Sequence, residues 1–203
     1  MLRRKTRGAD SPSLPLQPAE CRELLRLARA AIGAALNAVA PPVLELSTPA
    51  LHSVSGVFVS LHLERDLRGC VGSVTPTAPL HAEVMHMACA AAFEDPRFPP
   101  LTVEEWLRSA IEISRLSPPR PARPEELELG VHGVYISRGL ARGLLLPQVA
   151  AQLDWSRERL LAAACLKAGL DPEAWRDPGT GVSIFAAEII RELDRSDPPP
   201  CGH

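Results

Sequence analysis

Residues 67–74 read Leu-Arg-Gly-Cys-Val-Gly-Ser-Val, placing a cysteine and a valine between two glycines on a segment patterned as a β-strand. Glycine inside a strand removes a side chain that would pack, so it marks a bulge or the close approach of another group. Just upstream, residues 56–63 are rich in strand formers, and Glu64-Arg65-Asp66 supplies a turn. The two runs predict a β-hairpin and commit this part of the chain to antiparallel pairing. His62 then falls shortly before the turn and Cys70 shortly after it. They are candidate neighbours across the ladder, although register cannot be read from sequence.

Elsewhere, apolar residues recur at helical spacing from Leu24 through Ala28 and Ile32 to Leu36, predicting a helix over 18–40 that Pro41-Pro42 stops. Pro79 suits a first helical position, and 80–93 continues as a helix rich in small residues. The prolines of 94–100 end it. Thr102 with Glu105 fits a capping box for a short helix, and 110–116 alternates as a strand. A proline-rich loop is expected over 117–124. A second hairpin follows, with strands at 134–137 and 144–146. Asp154 or Ser156 caps a further helix closed by Gly169, Trp175 lies in a short helical turn, and 182–190 is a last strand. Hairpins outnumber βαβ crossovers, so the expected class is α+β, an antiparallel β-sheet flanked by helices. The expected organisation is a tail over 1–16, a single domain over 17–195 and a second tail over 196–203. Cys201 and His203 fall in that tail and are read as part of it rather than as a metal pair.

A length of 203 residues and an apolar fraction of 46% suit one well-buried core or two unequal lobes. A net charge of −2 gives no electrostatic argument for nucleic acid or an anionic membrane as partner. Three Trp, one Tyr and four Phe leave little for a base-stacking surface. The five cysteines form no CxxC pair. Their odd number, with no apolar segment behind the basic N-terminus, points to free thiols and a cytoplasmic protein. His81 and His86 would lie about 140° apart on a helix, and no metal-ligand spacing occurs, so neither metal nor cofactor is expected.

Four clusters could carry chemistry. Arg68 beside Cys70 would favour the thiolate, the form that attacks electrophiles; the structural alternative is a small buried cysteine in a bent strand. Asp95-Pro96-Arg97-Phe98 sits in a proline-locked loop. It could present Asp95 and Arg97 to an anionic or amide group, or satisfy its own backbone. His132-Gly133 opens the second hairpin. Gln148, in an otherwise apolar stretch, could contact a ligand or a buried backbone group.

The run from Gly56 to His62, then Leu67-Arg68-Gly69-Cys70-Val71-Gly72, closely resembles the AMMECR domain family and its LRGCIG motif, with valine in place of isoleucine. Matches continue in order at residues 91–98, Leu116-Ser117-Pro118, His132-Gly133, residues 145–150 and 167–170, and the similarity spans roughly 20 to 193. The resemblance implies a larger and a smaller lobe with the LRGCIG segment near a cleft between them. It also implies a place as protein A of the AmmeMemoRadiSam set, beside a Memo-like protein and a radical-SAM protein. Two functions follow as expectations. One is a cysteine-dependent enzyme or enzyme component, with Cys70 as nucleophile and His62 or His132 as base. Arg68, Gly69, Gly72, Asp95, Arg97 and Gln148 would then line the substrate site. The other is a non-catalytic module that binds a small molecule, peptide or protein through the same residues.

Overall fold

A computed structural model describes residues 15–64 and 66–192. The expected tails lie outside the described residues except for Pro15 and Leu16, as do Cys201 and His203. Leu16 is already packed into the core.

The chain divides into two compact units. The first is built from residues 16–115 with 189–192. Its helices are α1 (Pro18–Leu36), the single turn α2 (Pro49–His52), α3 (Leu80–Phe93) and α4 (Val103–Arg108). Its strands are β1 (Val57–Leu63), β2 (Asp66–Ser73) and β3 (Ala110–Leu116), the last of which ends one residue past the unit boundary. The strand β1 pairs antiparallel with both β2 and β3, so β2 forms an edge. Val57, Val59 and Leu61 alternate onto the buried face with Ile111 and Ile113. They meet Leu24, Ala28 and Ile32 of α1 and Val84, Ala88 and Ala91 of α3 in one core. The helix α1 stops at Leu36, earlier than the proline pair demands. Asn37 Nδ2 donates to the Gly33 carbonyl and Ala38 turns into the left-handed region at φ 51°.

The second unit, residues 116–188, holds β4 (Arg120–Pro121), β5 (His132–Arg138), β6 (Ala141–Leu145), α5 (Pro147–Leu153), α6 (Arg157–Lys167) and most of β7 (Gly181–Arg191). Short 3-10 turns cover Pro124–Glu126 and Ala174–Arg176. Here β5 pairs antiparallel with β6 and β7, and β4 pairs with β7 inside the segment expected to be only loop. Val134, Ile136 and Ile184 pack against Leu160, Leu161, Ala164 and Cys165 of α6. Ser156, rather than Asp154, caps α6 by accepting from Arg159 N–H at 3.2 Å. Asp154 instead ends α5 in the left-handed region. That helix was not expected; it starts at Pro147, where a missing N–H costs nothing.

The fold is α+β, with antiparallel pairing in both units. Among the described residues no helix is long and apolar enough to cross a membrane.

Candidate functional site

Cys70 lies on the edge strand β2, opposite Ser60. Its backbone is held from outside the sheet. Cys70 N–H donates to Asp95 Oδ2 at 2.8 Å, and Arg97 Nη2 donates to the Cys70 carbonyl at 3.3 Å. The same two side chains are joined to each other. Arg97 donates from Nη2 to Asp95 Oδ2 at 2.7 Å and from Nε to Oδ1 at 2.9 Å, and its backbone N–H reaches Oδ1 at 3.1 Å. The loop after α3 thus stands in for a neighbouring strand, offering one acceptor and one donor where a ladder would.

The electrostatics follow from this geometry. Asp95 is almost wholly buried, and its carboxyl lies well below the usual carboxylate range. The Arg97 hydrogen bonds do most of this, helped by the amides of Cys70 and Arg97 and opposed by burial. Arg97 is raised, chiefly by Asp95, with a smaller charge contribution from the Cys70 sulfur. The Asp95 side chain is 3% exposed and that of Arg97 is 55% exposed, so the pair presents its guanidinium outward.

Arg68 does not take the place beside the thiol that its spacing suggested. The β1–β2 register slips between Leu61 and His62, making Arg68 the extra residue of a bulge. Its guanidinium grips Glu105, with Nε at 2.9 Å from Oε1 and Nη2 at 3.0 Å from Oε2, and Nη2 also reaches the Pro99 carbonyl at 2.9 Å. Glu105 completes the expected capping box as well, accepting from Thr102 N–H at 2.9 Å. Arg68 foremost, then Thr102, lower its pKa to about 2. Both arginines approach the Phe98 ring, Arg68 Cζ at 5.7 Å and Arg97 Cζ at 5.4 Å from its centroid.

Both glycines are occupied by the protein itself. A Cβ on Gly69 would stand 2.1 Å from the Ala91 carbonyl oxygen, so this glycine lets β2 approach the backbone of α3. A Cβ on Gly72 would meet the Phe58 ring at 2.3 Å. Phe58 is the cross-strand partner of Gly72, and its ring covers the missing side chain. The Cβ side of each glycine is thus filled from within the protein, by α3 at Gly69 and by the Phe58 ring at Gly72. The Cys70 amide is given to Asp95.

His62 does not face Cys70; it pairs with Leu67 on one side and Ala110 on the other. It shares the sheet face of Ser60, one step along the ladder. Its Nε2 is buried with no hydrogen-bond partner among the described residues. His132 and Gln148 belong to the other unit. His132 is 5% exposed, and its Nδ1 accepts from Glu128 N–H at 3.1 Å, which assigns the proton of the neutral ring to Nε2. The ring of Phe185 fills the space beside Gly133. Gln148 sits in the first turn of α5. Sequence reasoning gave no role to Phe58 or to the Phe98 ring and missed the second task of Glu105. Only the capping-box spacing hinted at the last.

Residues 25–190 match the AMMECR1 family model. The chain belongs to the AMMECR1 family. A Thermococcus gammatolerans protein is 42% identical over 183 residues, covering 83% of this chain and 88% of that one. A Methanothermobacter thermautotrophicus protein is 40% identical, covering 88% and 97%. The crystal structure of the uncharacterized protein PH0010 from Pyrococcus horikoshii superposes with a TM-score of 0.78 at 39% identity, covering 84% of this chain and 90% of that one. In this AMMECR1 chain the four free cysteines among the described residues are Cys21, Cys70, Cys89 and Cys165. No group of three or more His, Cys, Asp or Glu among those residues is placed to hold a metal ion. What the arrangement offers chemically is a thiol on a rigid strand edge, with an exposed guanidinium beside it.

Proposed function

We propose that this AMMECR1 protein is a binding component whose recognition surface is the β2 edge around Cys70, with Arg97 as its anion contact. The observation that carries the reading is the double hold on Cys70, whose N–H and C=O both go to the Asp95–Arg97 pair. That pair immobilises the strand edge and turns a guanidinium to the outside, as a recognition surface requires. The groups that would serve covalent chemistry are spent on the fold: Arg68 on Glu105, Gly69 on α3, and the Cys70 amide on Asp95. Partners in this reading are the Memo-like and radical-SAM proteins that the family resemblance implies, and the free thiols favour a cytoplasmic setting.

A cysteine-dependent enzyme component is the second reading. The orphan Nε2 of His62, on the sheet face that Ser60 shares with Cys70, favours it. Iodoacetamide labelling of the folded protein, followed peptide by peptide, separates the two. A binding component labels at Cys70 no faster than at Cys21, another partly exposed thiol. Labelling at Cys70 tens of times faster at pH 7 would overturn the binding reading and install the catalytic one.

A further inference from the structure

The Asp95–Arg97 pair covers only part of the β2 edge. Because Cys70 sends its N–H and C=O outward, the Ser60–Cys70 couple is a non-hydrogen-bonded pair of the antiparallel ladder. The pattern repeats every second residue, so at Phe58–Gly72 the N–H and C=O of Gly72 also point away from β1. Among the described residues neither group finds a partner. Gly72 is partly exposed, and among the described residues β2 has no strand beyond it. An unpaired edge of this kind is a template for an added strand.

We propose that this open stretch of β2, next to Arg97, accepts an extended peptide segment ending in a carboxylate. This rests on the binding reading above and names its ligand. A peptide paired with the Gly72 N–H and C=O runs along the line occupied, one ladder step away, by the Arg97 and Asp95 side chains. Its end therefore meets a guanidinium that is 55% exposed and whose Nη1 makes no hydrogen bond among the described residues. A carboxylate is the complementary terminus. The Phe58 ring lying over Gly72 gives an apolar contact to the peptide side chain on that face. Main-chain bonds would supply the attachment, and the charge would set the stopping point.

The test is residue-resolved amide hydrogen exchange by NMR on the full chain. The probe is a synthetic hexapeptide library with degenerate β-branched and aromatic positions, prepared as C-terminal free acids, as C-terminal amides, and as amides carrying a final Asp. The expected result is an at least tenfold slowing of exchange at Gly72 with the free acids and none with the plain amides, while Cys70 stays protected throughout. Equal slowing by the Asp amides would support the same carboxylate chemistry and assign it to a side chain. Three results would overturn the proposal. They are Gly72 as protected as Cys70 in the free protein, equal slowing by acids and plain amides, and slowing that grows with protein concentration alone, which would make a second copy the occupant. Such a failure with Cys70 still labelled no faster than Cys21 removes the peptide and leaves the binding reading. Fast labelling of Cys70 removes the binding reading itself.

Discussion

Asp95 accepts the backbone N–H of Cys70 at 2.8 Å while its other oxygen takes two donors from Arg97. One buried carboxylate thus ties the end of α3 to the sheet edge. Replacing it with alanine leaves the Cys70 N–H and the Arg97 guanidinium without their charged acceptor. Hydrogen bonds to charged groups contribute about 1.5–3 kcal/mol each, but Arg97 can turn to water, so we expect Asp95→Ala to cost about 2–3 kcal/mol. Urea unfolding measures this, and a loss below about 0.5 kcal/mol would show that the clamp carries no weight.

Glu105 links stability to pH. Its folded-state pKa of about 2 lies below the unfolded value of about 4.3, so its carboxylate form is the one that Arg68 and Thr102 hold. The stabilisation is complete above about pH 4.3 and is lost as pH falls through about 2. Glu23, bound to Arg26 and the amides of Glu45 and Leu46, is also lowered to about 2 and acts in the same window. Unfolding free energies of wild type and Glu105→Gln should therefore differ most near neutrality and converge only below about pH 2. A constant difference from pH 7 to 2 would contradict the Arg68–Glu105 account.

Gly69 should tolerate no side chain. The Cβ of Gly69→Ala would fall 2.1 Å from a backbone carbonyl of α3, which forces strand and helix apart. Overpacking of this kind costs typically 1–3 kcal/mol, and a backbone obstacle puts it at the upper end, about 3. Gly179→Ala is the control, since nothing lies within 4 Å of the added methyl. Equal melting temperatures for the two variants would refute the close approach.

The thiols should separate by burial. Burial raises the pKa of Cys165, on the core face of α6, and of Cys89, where the Glu94 charge adds to it. Both thiols should label far more slowly than Cys21 at pH 8, and Cys165 only as fast as its unit opens. Rapid native-state labelling of Cys165 would contradict its place in the core.

Much of the architecture was readable from short-range pattern. The hairpin around Glu64, the helix over 80–93, the Thr102–Glu105 box and the Gly169 stop depend on residues a few positions apart, and they stand where local chemistry put them. The self-satisfied alternative for Asp95 and Arg97 was also visible, because an Asp two residues before an Arg in a turn can reach it. The helix α5 was hidden. Leu146-Pro147-Gln148 offers no capping side chain, and its start rests on proline alone.

The sequence by itself determined the class of the protein, most of its strands and longer helices, and the place of Cys70 between two glycines on a strand. Tertiary structure alone decided what each group around Cys70 touches. Arg68 turns to Glu105, 37 residues away, and the Cys70 amide to Asp95, 25 residues away. Gly69 and Gly72 face α3 and Phe58 rather than open space. Periodicity and capping are set by neighbours within one or two turns. Contacts across such separations exist only once α3, α4 and β2 have packed together, and a one-residue bulge in β2 was enough to redirect Arg68.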